Sequence, residues 1–203
     1  MKTTVFRDCG SMDNNCYVAE CDGEALVIDA PEGSAQRVAK RTAKAGVRVT
    51  LLVNTHGHFD HTADNAKFKK LFNCKIACHA DDAKMLEKPG GREYGIETQP
   101  SKADVLLQEG MALAFGNASL TVLHCPGHTP GSACLYWKER NELFSGDVLF
   151  HQGRGRTDLP GGDEPEMLRS LARLALLPPS TRVLPGHGEE TTIRKENPEC
   201  AVR

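Results

Sequence analysis

The stretch that most constrains this chain is Thr55-His56-Gly57-His58-Phe59-Asp60-His61. Three imidazoles and a carboxylate crowd into one short segment, just after Val49 to Val53, a run apolar but for Thr50, of the kind that forms a buried strand. Imidazole nitrogen and carboxylate oxygen are the donors that zinc and the first-row transition metals accept, and a tight loop at a strand end lets alternating side chains converge on one point. The alternative, a loop of solvated surface histidines, leaves this density without a cause.

Three more candidates stand in glycine turns: His128 in Cys125-Pro126-Gly127-His128, Asp147 in Ser145-Gly146-Asp147, and His187 in Pro185-Gly186-His187-Gly188. Glycine beside a donor lets the backbone turn sharply and bring the side chain close to an ion. The candidate ligand set is therefore His56, His58, Asp60, His61, His128, Asp147 and His187.

Around these residues, strand and helix signals alternate. Strands are predicted over Asn15 to Glu20 and Ala25 to Asp29, joined by a turn at Asp22-Gly23. Ser34 is placed to cap a helix with Ala35, Val38, Ala39 and Thr42 on one face, ended by Gly46. Thr62 is placed to cap a second helix whose Phe68, Leu71 and Phe72 share a face, followed by a short strand over Lys75 to Cys78 and a helix through Met85 and Leu86. Lys88 to Ser101, rich in Gly and Pro, has no sustained periodicity and reads either as a loop over a substrate site or as a solvated linker. Strands return at Met111 to Phe115, Ser119 to Leu123, Ala133 to Trp137 and Leu143-Phe144. A helix over Glu166 to Leu177 with Pro165 at its start, and a last strand over Arg182 to Leu184, complete the pattern.

A length of 203 residues suits one domain spanning the whole chain, with a sizeable core. The 25 basic and 27 acidic residues leave a net charge of -2, which offers phosphate backbones no long-range attraction, so no nucleic-acid partner is expected. The N-terminal residues lack the apolar run of an export signal, and no stretch approaches the roughly 18 apolar residues of a membrane span. A cytoplasmic protein with no membrane partner is the expectation. The eight cysteines include no CxxC pair and are read as free thiols, mostly small core hydrophobes.

HxHxDH followed in order by a lone His, a lone Asp and a last His resembles the metallo-β-lactamase superfamily, over about Asn15 to Thr192. The resemblance implies an α/β fold, an αββα sandwich of two mixed β-sheets flanked by helices, with the site at one rim. It also implies that His56, His58 and His128 hold one metal and that Asp60, His61 and His187 hold a second, with Asp147 bridging. The implied cofactors are two divalent ions, zinc first, with iron or manganese as alternatives. Two such ions share a water and lower its pKa towards about 7, so no serine or cysteine nucleophile is required. Asp60, acting with that metal-bound hydroxide, is the implied catalytic group.

Gly155-Arg156-Thr157-Asp158-Leu159-Pro160-Gly161-Gly162 is similar to the GRTDxPGG stretch of the small glyoxalase II-like hydrolases. That likeness implies a thioesterase acting on S-acylglutathione-type substrates such as S-lactoylglutathione. Longer members carry a C-terminal helical domain that helps hold glutathione, whereas few residues follow Thr191 here. Arg154 and Arg156 are the candidate partners of a substrate carboxylate, with an internal pair between Arg156 and Asp158 as the alternative. His151 is read as a loop residue. Two other functions stay open. A mononuclear-iron persulfide dioxygenase also carries GRTD and could draw on His56, His128 and Asp147, and a non-catalytic metal-binding module would keep the fold without turnover.

Overall fold

The computed structural model describes residues 1–88, 90–96 and 98–196. Its strands form two six-stranded mixed sheets. The first sheet runs in spatial order through β1 (Lys2–Cys9), β2 (Asn14–Cys21), β3 (Glu24–Ile28), β4 (Arg48–Val53), β5 (Lys75–His79) and β6 (Val105–Leu107). β1 to β3 form an antiparallel meander, and β3 to β6 are parallel. The second sheet holds β7 (Ala112–Phe115), β8 (Ala118–His124), β9 (Ala133–Trp137), β10 (Glu142–Gly146), β11 (Arg182–Pro185) and β12 (Thr191–Thr192), antiparallel except for the parallel pair β10 and β11.

The period-two alternation of the strands assigns each sheet face a partner. Leu26, Ile28 and Val53 of the first sheet pack against Leu120, Leu135, Trp137 and Phe144 of the second, and this cluster fills the space between the sheets. The intervening Val27 and Leu52 face outward, onto α1 (Ser34–Ala45) and α3 (Asn65–Phe72), through Val38 and Phe68. On the far side Cys134, Leu143 and Val183 meet Met167, Leu171 and Leu174 of α4 (Glu164–Leu174). The layering is therefore αββα, as the resemblance implied. Among the described residues no helix is long and apolar enough to cross a membrane.

The local expectations were partly replaced by tertiary contacts. Gly33, with φ +79°, occupies the cap position of α1, and Ser34 is its first residue. The Ser34 hydroxyl is buried without a partner, while Asp64 accepts from the Ala35 N–H at 3.0 Å, so a distant carboxylate does the capping. Gly46 closes that helix with φ +66°, as expected. Thr62 does not cap α3. It ends a separate turn, α2 (Phe59–Thr62), where its hydroxyl donates to the His58 carbonyl at 3.0 Å, and α3 starts at Asn65. Leu71 is 49% exposed, so the buried face of α3 centres on Phe68.

Met85 and Leu86 lie in turns closed by i to i−3 bonds, Met85 N–H to Asp82 O and Lys88 N–H to Met85 O, and no α-helix forms there. Asp82 holds that segment from its own side chain, which accepts from the Gly57 and Gly131 N–H groups at 2.8 Å each. The sequence also gave no sign of β1, an edge strand whose residues are half exposed and lack a clean apolar alternation. The seven cysteines among the described residues are buried and free, and Cys200 lies outside them.

Candidate metal centre

The rim of the sandwich collects the loops that follow β3, β4, β8, β10 and β11, and all seven candidate ligands stand on the last four. His56 follows β4, and α2 presents Asp60 and His61 as part of one short helical turn. His128 lies beyond β8, Asp147 directly follows Gly146 of β10, and His187 lies just past Pro185 of β11. Their donor atoms form adjoining triads, each within 4.8 Å: His56, His58 and His128; His56, His61 and Asp147; and Asp60, His61 and His187.

Hydrogen bonds on the outer ring nitrogens fix which atoms face inward. His61 Nδ1 lies 2.9 Å from Asp29 Oδ2, His128 Nδ1 lies 2.7 Å from the Arg156 carbonyl, and His187 Nδ1 lies 2.9 Å from the Met12 carbonyl. Carboxylate and carbonyl oxygens only accept, so each Nδ1 carries a hydrogen and each Nε2 offers a lone pair. Thr55 Oγ1 gives its own proton to Asp29, at 2.9 Å, and so accepts from His56 Nδ1 at 3.1 Å, which leaves His56 Nε2 bare as well.

These inward atoms crowd one another. His58 Nδ1 lies 3.1 Å from His56 Nε2 and 2.9 Å from His128 Nε2, and His61 Nε2 lies 3.2 Å from His187 Nε2. The Nε2 lone pairs of His61 and His187 repel at this distance unless a cation stands between them, and His58 Nδ1 sits equally close to the bare Nε2 atoms of His56 and His128. Tetrahedral Zn²⁺ with nitrogen ligands at about 2.0–2.1 Å spaces its donors by roughly 3.4 Å. Asp147 Oδ1 adds to the argument. It is buried with no hydrogen-bond partner, although His61 Nε2 is 3.3 Å away. The donor set fits divalent transition-metal ions, and this unpartnered oxygen lies where the triads adjoin.

The electrostatics divide the centre in two. Burial, reinforced by the neighbouring imidazoles, holds His56 well below the usual histidine range and pushes His58 down to about 4, so both are neutral and ready to ligate at pH 7. Burial alone would depress His61 and His187 too. The carboxylates of Asp147, Asp60 and Asp29 outweigh it at His61, and the contact with Asp60 outweighs it at His187, so both are raised. Burial works to raise the Asp60 carboxyl, but His61, His187 and a 2.9 Å bond from Asn14 Nδ2 hold it well below the usual carboxylate range. The same carboxylates that raise His61 and His187 favour positive charge at this half of the centre, which a bound cation would supply.

Several supports had no signature in the pattern of ligands. Asp29, at φ +59° after β3, accepts from the Thr55 N–H at 2.7 Å as well as from Thr55 Oγ1 and His61. Asn14 orients Asp60, and Asp82 ties the His56–His58 loop to the His128 loop through Gly57, Thr129 and Gly131. The only trace of Asp29 in sequence is an acid closing an apolar strand.

The Gly155–Gly162 segment buttresses the centre with its backbone. The Arg156 carbonyl orients His128, and a Cβ on Gly155 would come within 1.9 Å of the Asp147 carbonyl. Arg154 is held by Glu164 through two bonds of 2.8 and 2.6 Å, and Arg156 by Asp158 through two of 2.6 Å. The internal pair considered for Arg156 is thus formed, yet Arg156 still lines the cavity over the centre; Arg154 is anchored to α4. His151 is exposed in its loop. That cavity, about 190 Å³, is walled by Met12, Phe59, Tyr94 and Leu159 above His58, Asp60, His128, Asp147 and His187. Tyr94 stacks on Phe59 with centroids 5.4 Å apart, so the Lys88–Ser101 segment reaches the site; its Pro89 and Glu97 lie outside the described residues.

An αββα sandwich with a histidine and aspartate metal centre at its rim defines a class of metalloproteins, and the comparisons place the chain within it. Residues 10–187 match the metallo-beta-lactamase superfamily model, and the chain belongs to that superfamily. It is 38% identical to an uncharacterized protein of Aquifex aeolicus (strain VF5), with 92% of this chain and 90% of that one covered. It is 33% identical to the probable metallo-hydrolase YqgX of Bacillus subtilis (strain 168), with the same coverage. It is 32% identical to the hydroxyacylglutathione hydrolase GloC of Haemophilus influenzae (strain ATCC 51907 / DSM 11121 / KW20 / Rd), with 92% and 91% covered. Among solved structures it is similar to the BLEG-1 B3 metallo-beta-lactamase (TM-score 0.89, 34% identity, 96% of each chain). It is also similar to TTHA1623 in a di-iron-bound form (TM-score 0.84, 35% identity, 95% and 97% covered).

Proposed function

We propose that this chain is a metallo-hydrolase that cleaves small thioesters of the S-acylglutathione type, using two divalent ions held by His56, His58 and His128 and by Asp60, His61 and His187, with Asp147 between them. The observation that carries the reading is the convergence of inward-facing imidazole nitrogens around the unpartnered Asp147 oxygen. A pair of divalent ions in such a site supplies an activated water and polarises an acyl carbonyl. Zinc suits the donors, as do iron and manganese, and the similarity to a di-iron-bound structure makes iron a specific candidate.

The chain's own residues would perform the remaining tasks. Asp60, kept ionised by its neighbours and oriented by Asn14, is placed to hold and pass a proton beside the reacting water. Phe59, Tyr94, Leu159 and Met12 form an apolar wall that limits water around the acyl group. At about 190 Å³ the cavity is smaller than the roughly 300–1,000 Å³ usual for whole drug-sized ligands. It suits a short acyl group whose carrier thiol lies outside, where the exposed Arg156 fork can exchange Asp158 for a substrate carboxylate. The similarity to a protein named hydroxyacylglutathione hydrolase supports this substrate class.

The test is a substrate panel on metal-loaded protein: S-lactoylglutathione, a β-lactam and glutathione persulfide. Thiol release from the thioester, abolished by chelation, is the expected result. β-Lactam cleavage without thioester cleavage would overturn the substrate class, and oxygen uptake with the persulfide would replace hydrolysis by oxygenation.

A further inference from the structure

His79 and His124 take no part in the centre described above. His79 ends β5 in the first sheet and His124 ends β8 in the second, so their contact crosses from one sheet to the other. Their rings stack with centroids 3.9 Å apart and 8° between planes. Asp81 brings Oδ2 to 3.5 Å from His79 Nδ1, and one donor atom from each of His79, Asp81 and His124 lies within 4.8 Å of the other two.

The hydrogen bonds settle which nitrogens are free. His124 Nε2 lies 2.9 Å from the Pro130 carbonyl, which only accepts, so Nε2 carries the hydrogen and Nδ1 the lone pair. His79 Nδ1 accepts weakly from the Asp81 N–H at 3.4 Å and is likewise unprotonated. That lone pair faces a carboxylate oxygen with no proton between them, an arrangement a cation would relieve. Burial, with the neighbouring His124, also keeps His79 below the usual histidine range and hence uncharged at neutral pH.

We propose that His79, Asp81 and His124 form an additional binding site for a divalent transition-metal ion of the Zn²⁺ class, clipping the end of β5 to the end of β8. Two imidazoles and one carboxylate select such ions over Mg²⁺ or Ca²⁺, which prefer oxygen. A tetrahedral ion asks for donors roughly 3.4 Å apart, which the His79–Asp81 pair already meets. Because an imidazole lone pair lies in its ring plane, binding turns one ring out of the parallel stack so that both nitrogens reach the ion. His79 is buried, His124 is partly buried and Asp81 is exposed, so water completes the coordination and the ion exchanges with solvent. The site adjoins the His128 loop, because Pro130 holds His124 while Thr129 and Gly131 bond to Asp82. The proposal does not depend on what the main centre catalyses.

Full-length protein with its main centre already loaded is dialysed against Zn²⁺ alone at tens of micromolar, and bound metal is counted by mass spectrometry. The wild type should take up one equivalent more than His124→Phe, a change that keeps a ring against His79 and removes the donor. Asp81→Asn, at an exposed position, should weaken the extra equivalent about tenfold or more, and added Zn²⁺ should raise the melting temperature of the wild type only. Equal stoichiometry in the wild type and Asp81→Asn across the titration, or no anomalous peak between His79 and His124 in zinc-soaked crystals, would overturn the site.

Discussion

Asp29→Asn separates the two halves of the metal centre more cleanly than removal of any ligand. Asp29 does not line the cavity over the centre, yet its carboxylate takes three hydrogen bonds, from Thr55 N, Thr55 Oγ1 and His61 Nδ1, at 2.7, 2.9 and 2.9 Å. Its backbone is left-handed, φ +59°, a conformation asparagine tolerates, so the change is chemical and leaves the turn intact. An amide offers one accepting oxygen instead of two. If that oxygen keeps the Thr55 N–H, the amide nitrogen faces His61 Nδ1 and drives the hydrogen of that ring to Nε2, the atom aimed at the centre.

Loss of such an outer partner costs about 10- to 100-fold in metal affinity, or about 1.4–2.8 kcal/mol at 1.4 kcal/mol per factor of ten. The loss should fall on the ion held by Asp60, His61 and His187. The ion at His56, His58 and His128 should change less than about threefold, because Thr55 can still accept from His56 after its hydroxyl turns. Chelator-competition titration resolves the two equivalents. Equal weakening of both, or no weakening of either, would refute the division of the centre and the tautomer argument behind it.

Gly155→Ala should destabilise the fold by more than about 3 kcal/mol, as expected where a core is overpacked against backbone, because its Cβ would lie 1.9 Å from the Asp147 carbonyl; Gly153→Ala, with nothing within 4 Å, should be near neutral, and equal melting temperatures for the two would contradict the packing. Tyr94→Ala should raise KM for a thioester about 2- to 10-fold, the worth of one aromatic contact of about 0.5–1.5 kcal/mol, with metal content unchanged; a loss of metal instead would show Tyr94 supporting the centre itself. Metal uptake should release protons unequally. His61 and His187 are raised and His56 and His58 are lowered. Affinity at the Asp60–His61–His187 triad should therefore climb with pH, by up to about tenfold per unit while His61 still holds its proton, and calorimetry in buffers of different ionisation enthalpy should assign the proton release to that equivalent. Release confined to the other equivalent would contradict the division.

The seven donors could be read from the chain because four come in one dense cluster and three in short glycine turns, each shortly after an apolar strand, and the structure brings all seven together. The inner strands were legible for the related reason that a strand buried on both faces is nearly continuously apolar, as in Val49 to Val53, where only Thr50 interrupts. What escaped was set by contacts between distant segments. Ser34 yields its capping role to Asp64, the Met85–Leu86 turns are pinned from Asp82, and β1 pairs at an edge without an apolar stripe. Asp29, Asn14 and Asp82 act through hydrogen bonds to residues far along the chain, which no local spacing encodes. The GRTD segment was recognisable as a likeness. Its physical basis, the Arg156 carbonyl on His128 and the bare Cα of Gly155 against Asp147, emerged only from the packing.

The central claim is that the rim holds two ions with Asp147 between them. Anomalous diffraction at the metal absorption edges, with a mass-spectrometric metal count on protein purified without added metal, tests it most directly. The account predicts two peaks in the centre, one against His56, His58 and His128 and one against Asp60, His61 and His187, with Asp147 touching both. A single peak, or none, in well-folded protein would contradict it.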